Sequence, residues 1–104
     1  MRQSITKESP NRQYVTLAAA YDFFNRRLFD AQLPPAIITL QRKAGSHGYY
    51  SASRFEGRAD DNRETDEIAL NPGTFTGRSD SQILSTLVHE MAHHWQAHFG
   101  DPGR

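Results

Sequence analysis

"SDSQILSTLVHEMAHHWQAHFG", residues Ser79 to Gly100, decides how this chain folds. Ile83, Leu84, Leu87, Val88, Met91, Trp95 and Phe99 recur at helical spacing, the mark of an amphipathic helix. Ser79-Asp80-Ser81-Gln82 reads as a capping box, Asp80 puts negative charge on the first turn, and Gly100 suits the far end. The pattern predicts one long helix whose charged and imidazole residues lie mostly off the apolar stripe.

Within that helix, His89-Glu90-Met91-Ala92-His93 has the form H-E-x-x-H in the context the motif requires. Helix residues four apart differ by ~40° around the axis and ~6 Å along it, so His89 and His93 share a face and can grip one metal ion. Glu90 sits ~100° round from His89, placed to contact a water on that metal, which is the position of a general base. Zinc brings the pKa of a bound water toward ~7, Glu90 takes the proton, and the hydroxide attacks a polarised carbonyl. Peptide hydrolysis is the usual result of such chemistry.

No third ligand can be read from the helix. In the extended pattern with a helix-breaking glycine, the glycine would fall at Gln96 and the last histidine at Phe99, so that class is excluded. His98 lies ~180° from His89 on an unbroken helix, and Asp101 is hard against the helix end. His94 and His98 form another pair four apart, rotated ~140° from His89 and followed by no glutamate. They read as solvent-facing or dipole-favoured histidines near a helix C-terminus, not as catalytic groups.

Outward from this helix, "TLAAAYDFFNRRLF" (Thr16–Phe29) places Leu17, Tyr21, Phe24 and Leu28 on one helical face, and Pro34 and Pro35 prevent its continuation. Ala36–Arg42 and Gly48–Ser53 read as two strands of a hairpin around "KAGSHG", and Asp66–Pro72 as a third short strand. Residues 1–13 are polar and read as a flexible N-terminal arm, leaving 14–104 as a single domain. The expected class is α+β: an N-terminal helix, a small, mainly antiparallel three-stranded sheet, and the C-terminal helix bearing H-E-x-x-H.

Composition narrows the chemistry. The chain has no cysteine, which excludes disulfides, thiolate metal sites and a cysteine nucleophile; any metal must be held by His, Asp, Glu or water. Twelve basic and twelve acidic residues cancel, so the overall charge of a dedicated nucleic-acid binder is missing. No apolar run approaches the ~18 residues of a membrane span, and "MRQSITKESPNRQ" has no apolar signal core, so a cytoplasmic location without membrane attachment is expected.

The segments "FFNRRLFDAQLPPAIITLQRKAGSHGYYSASRF", "DEIALNP" and "ILSTLVHEMAHHWQAHFGDPGR", in that order, resemble the SprT-like domain, a zinc metallopeptidase family related to the eukaryotic Spartan protease for DNA–protein crosslinks. The resemblance spans about residues 14–104. It implies Zn2+ as cofactor, His89 and His93 as zinc ligands, Glu90 as catalytic base, and protein substrates, those bound to DNA among them. The family pattern runs on past "GDPGR" into a Tyr-His segment carrying the third zinc ligand, whereas this sequence ends at Arg104. We read it as C-terminally incomplete, with a short natural variant as the other reading. Two functions stay open accordingly: a zinc metallopeptidase, or a non-catalytic metal-binding or protein-interaction module that keeps the fold.

A local mixture of Arg42, Lys43, Arg54 and Arg58 with Tyr49, Tyr50 and Phe55 offers phosphate contacts and stacking surfaces for single-stranded DNA. Against it, Asp60, Asp61, Glu64, Asp66 and Glu67 cancel the charge, and a solvated hairpin with core aromatics accounts for the same residues. Tyr49 or Tyr50 is alternatively a wall of a substrate cleft. Oligomeric state is not legible.

Overall fold

A computed structural model describes residues 4–56 and 64–100. Helix α1 (Pro10–Leu28) leads into strands β1 (Ala36–Leu40), β2 (Gly48–Glu56) and β3 (Glu64–Leu70), and helix α2 (Asp80–Phe99) follows. The α+β class, the two helices and the three strands are those expected.

Helix α1 begins at Pro10 and not at Thr16, because Ser9 accepts the Arg12 N–H at 3.3 Å and a proline at the first helical position loses no hydrogen bond. It buries Gln13, Leu17 and Tyr21 on one face. Beyond Phe29, Asp30 and Ala31 adopt left-handed φ of 53° and 59°, and the Ala31 N–H returns to the Asn25 carbonyl at 2.8 Å, which ends the helix. The Asn25 side chain then accepts the Leu33 N–H at 3.0 Å, and Tyr21 Oη donates to the Pro34 carbonyl at 2.8 Å. Those two bonds fix the α1–β1 connection.

Ile5 and Gln13, which fall in the segment read from sequence as a flexible arm, are buried against the core. Ile5 is fully buried, its N–H donates to Asp80 Oδ1 at 2.9 Å, and its carbonyl accepts from Gln13 Nε2 at 3.0 Å. A lone isoleucine in a polar segment has no periodicity to announce it.

The sheet order is β1-β3-β2. Strand β3 pairs parallel with β1 and antiparallel with β2, so the sheet is mixed and the expected β1–β2 hairpin is replaced by a β2–β3 pair. The reason lies in β3 itself: Asp66, Glu67, Ile68, Ala69 and Leu70 are all buried, which requires cover on both faces and a central place. The 41–47 loop therefore bridges two interstrand gaps, ~9–10 Å. Buried Asn71 holds that loop by donating from Nδ2 to the Lys43 carbonyl at 2.7 Å and the Ser46 carbonyl at 2.9 Å.

Side chains alternate along β3, so Asp66 shares a face with Ile68 and Leu70, which pack with Leu17 and Tyr21 of α1 and Ile83, Leu87 and Met91 of α2. An ionisable residue thus sits at one end of the apolar layer. Among the described residues, no helix is long and apolar enough to cross a membrane.

Ile5→Ala is expected to lower the unfolding free energy by about 2–4 kcal/mol in a urea titration. A change within about 0.5 kcal/mol would mean that the N-terminal segment contributes no packing.

Candidate metal centre

Helix α2 is set by its capping box: Ser79 Oγ accepts the Gln82 N–H at 3.1 Å, and Gln82 Oε1 accepts the Ser79 N–H at 2.8 Å. Its buried residues are Ile83, Leu87, Glu90, Met91 and His94, a helical stripe that lies on the sheet and α1. With this stripe inward, His89 and His93 point to solvent. Their rings meet edge to face, with centroids 4.7 Å apart, and the two Nε2 atoms stand 3.2 Å apart. Two imidazole donors bound at ~2.0–2.1 Å to a tetrahedral ion lie ~3.3 Å from each other, so the pair fits the grip of one such ion.

Glu90 lies one residue round, where the exposed face turns into the buried one; only 6% of it is exposed. It and His89 line a cavity of about 480 Å³ together with His47, Gly48, Arg78 and Thr86. Burial pushes the Glu90 carboxyl up from its ordinary value, and the neighbouring His89 and His93 pull it part of the way back. A carboxyl raised in this way holds its proton more firmly than an exposed one.

Gly48 lets β2 close on α2: a Cβ there would stand 2.7 Å from the Ala69 carbonyl oxygen and 3.2 Å from Thr86 Cγ2. That approach carries His47 to the cavity. Arg78 donates from Nη2 to Thr86 Oγ1 at 2.7 Å and to the Gln82 carbonyl at 2.9 Å, while its Nη1 is buried without a partner. Neither His47 nor Arg78 was picked out from the sequence, since no spacing links a turn histidine or a pre-helical arginine to H-E-x-x-H.

The larger correction concerns His94 and His98. His94 is fully buried, not solvent-facing; His98 is partly exposed, with 39% of its side chain accessible. Both converge on Asp66 Oδ2, His94 Nδ1 at 2.9 Å and His98 Nε2 at 2.7 Å. The Tyr50 hydroxyl donates to the same carboxylate oxygen at 2.5 Å, and its ring packs 5.4 Å from that of His94. Burial and this bond hold the Tyr50 hydroxyl protonated well above the ordinary phenol range. The signal was present in the sequence, because His94 follows Ile83, Leu87 and Met91 at helical spacing and so falls on the apolar stripe. Among the described residues, Asp66, His94 and His98 form a group of three donors able to hold a metal, and no third His, Cys, Asp or Glu joins His89 and His93.

Of the candidate DNA-binding residues, Arg42 and Lys43 are exposed, and the Lys43 ammonium lies 4.8 Å from the centre of the Tyr49 ring. Arg58 and the side chain of Arg54 lie outside the described residues.

Residues 17–103 match the model of the SprT-like family. The chain belongs to the SprT-like family. It is also 56% identical over 45 residues to an "uncharacterized protein in mucB 3'region" of Salmonella typhimurium, a match that covers 43% of this chain and 61% of that protein. The chain thus spans about three fifths of the length of this relative. No solved structure gives a significant match. Membership of this family goes with a metallopeptidase-like fold.

The raised Glu90 carboxyl has a measurable sign. The unfolded chain ionises at the ordinary value of 4.5 while the folded chain resists, so folding is penalised increasingly as pH rises above 4.5. In metal-free protein, Glu90→Gln is expected to raise Tm by a few degrees at pH 7, with the gain fading below pH 4.5. A lower Tm for the variant at pH 7 would contradict the burial argument.

Proposed function

We propose that this SprT-like domain is a zinc-dependent metallopeptidase whose ion is held by His89 and His93 and whose general base is Glu90. The observation carrying this reading is the pair of Nε2 atoms 3.2 Å apart together with the buried Glu90 carboxyl, which lines the same cavity as His89. Zinc, when bound, would supply a lowered water pKa and a polarised peptide carbonyl. Glu90 receives the proton of the attacking water and returns it to the departing amine, a transfer helped by a carboxyl already pushed upward by burial. Arg78 and His47 line the same cavity, where the exposed His47 ring can reach a carbonyl of the peptide. The remaining coordination must come from water or from residues outside those described.

Proteins bound to DNA are the substrate class we propose, in the cytoplasm. The loop that carries His47 to the cavity also exposes Arg42 and Lys43, two cations available for phosphate contacts. Lys43 already covers Tyr49, so the loop favours contact with the backbone over base stacking.

The rival reading, a metal-binding or protein-interaction module without catalysis, draws on the lack of a third ligand beside His89 and His93 among the described residues. Glu90→Gln separates the two. It should leave zinc binding within about threefold and reduce cleavage of an unfolded protein substrate by at least 10²-fold. Unchanged cleavage by this variant would remove Glu90 from the mechanism, and zinc-loaded wild-type protein with no cleavage would favour the non-catalytic module.

A further inference from the structure

His94 is fully buried, and its two ring nitrogens meet different surroundings. The Pro34 carbonyl can only accept, and it stands 2.9 Å from His94 Nε2, so that nitrogen carries a hydrogen. Nδ1 faces Asp66 Oδ2 at 2.9 Å and is buried with no hydrogen-bond partner. His98 Nε2 meets the same oxygen at 2.7 Å from the solvent side. A buried polar atom without a partner, aimed into a cluster of donors, is the place where a ligand belongs.

We propose that Asp66, His94 and His98 form a second metal site, separate from His89 and His93, that takes a divalent ion of the zinc class. Two imidazoles and one carboxylate are the donor set such ions favour, and the three donor atoms lie within 4.8 Å of one another. An ion bound at ~2.0–2.1 Å needs its donors ~3.3 Å apart, so the present 2.7 and 2.9 Å separations must open by about half an ångström. His98, at the solvent edge of the cluster, can make that adjustment and gives the ion a way in. The outer contacts are those of a built site. His94 donates its far N–H to a backbone carbonyl that Tyr21 also fixes, and Tyr50 orients the Asp66 carboxylate. The ion would tie the C-terminal half of α2 to β3, with the α1–β1 connection behind it, and so act on stability, not on the peptide.

The test uses the full chain carrying His89→Ala and His93→Ala, which lacks the motif pair, so its outcome is independent of the proposed peptidase. Cobalt(II) and zinc(II) are titrated in turn, with the bound metal counted by elemental analysis and cobalt coordination followed by its visible absorption. One equivalent should bind at micromolar metal and raise Tm. Adding His98→Ala or Asp66→Asn should weaken binding at least tenfold, and Tyr50→Phe up to about tenfold. His98 is partly exposed, so its variant keeps the fold, checked by circular dichroism, even if Asp66→Asn does not. Absence of bound metal in the double variant, or binding that His98→Ala leaves unchanged, would overturn the proposal.

Discussion

The structure depends on how α2 is rolled against the sheet. Its apolar stripe, Ile83, Leu87 and Met91, must face β3 and α1, and at ~100° per residue this fixes the direction of every other side chain. His89 and His93 are turned outward together, Glu90 is left at the boundary of solvent and core, and His94 is turned inward. A roll of one residue in one direction would bury both histidines of the exposed pair, and in the other it would release the carboxyl. The capping box at Ser79 and the bond from the Ile5 N–H to Asp80 hold the start of the helix, so this roll is fixed from its first turn.

The same constraint explains the buried polar cluster. Asp66 stands where β3 passes beneath the second half of α2, and a buried carboxylate is tolerated only where donors or cations meet it. Tyr50 from β2 and His94 and His98 from α2 all reach one of its oxygens. A hydrophobic residue at position 66 would continue the apolar face of Ile68 and Leu70. The acid there makes the junction of strand and helix directional, since its partners must come from particular places on β2 and α2.

Much of this could be read from the chain. H-E-x-x-H and the helical period gave α2, its cap and the outward pair, because each rests on contacts within a few residues. The β1–β2 hairpin failed because strand order is decided by long-range burial; the continuous burial of Asp66 to Leu70 looked like an ordinary charged start to a strand. His94 was misplaced for a different reason. Imidazole is polar by habit, and treating it so outweighed its spacing from Ile83, Leu87 and Met91. Asp66 was noticed only as a charge opposing nearby arginines, and its true partners lie 16 to 32 residues away in sequence. Ile5, isolated among polar residues, had no pattern to betray it.

The central claim is that the roll of α2 turns His89 and His93 outward as one metal grip beside Glu90. The most direct measurement is a crystal structure of the zinc-loaded chain with anomalous diffraction recorded on both sides of the zinc absorption edge. A zinc peak in contact with both His89 Nε2 and His93 Nε2 and bordering the Glu90 cavity is the predicted result. Zinc bound only elsewhere, with that pair empty at saturating metal, would contradict it.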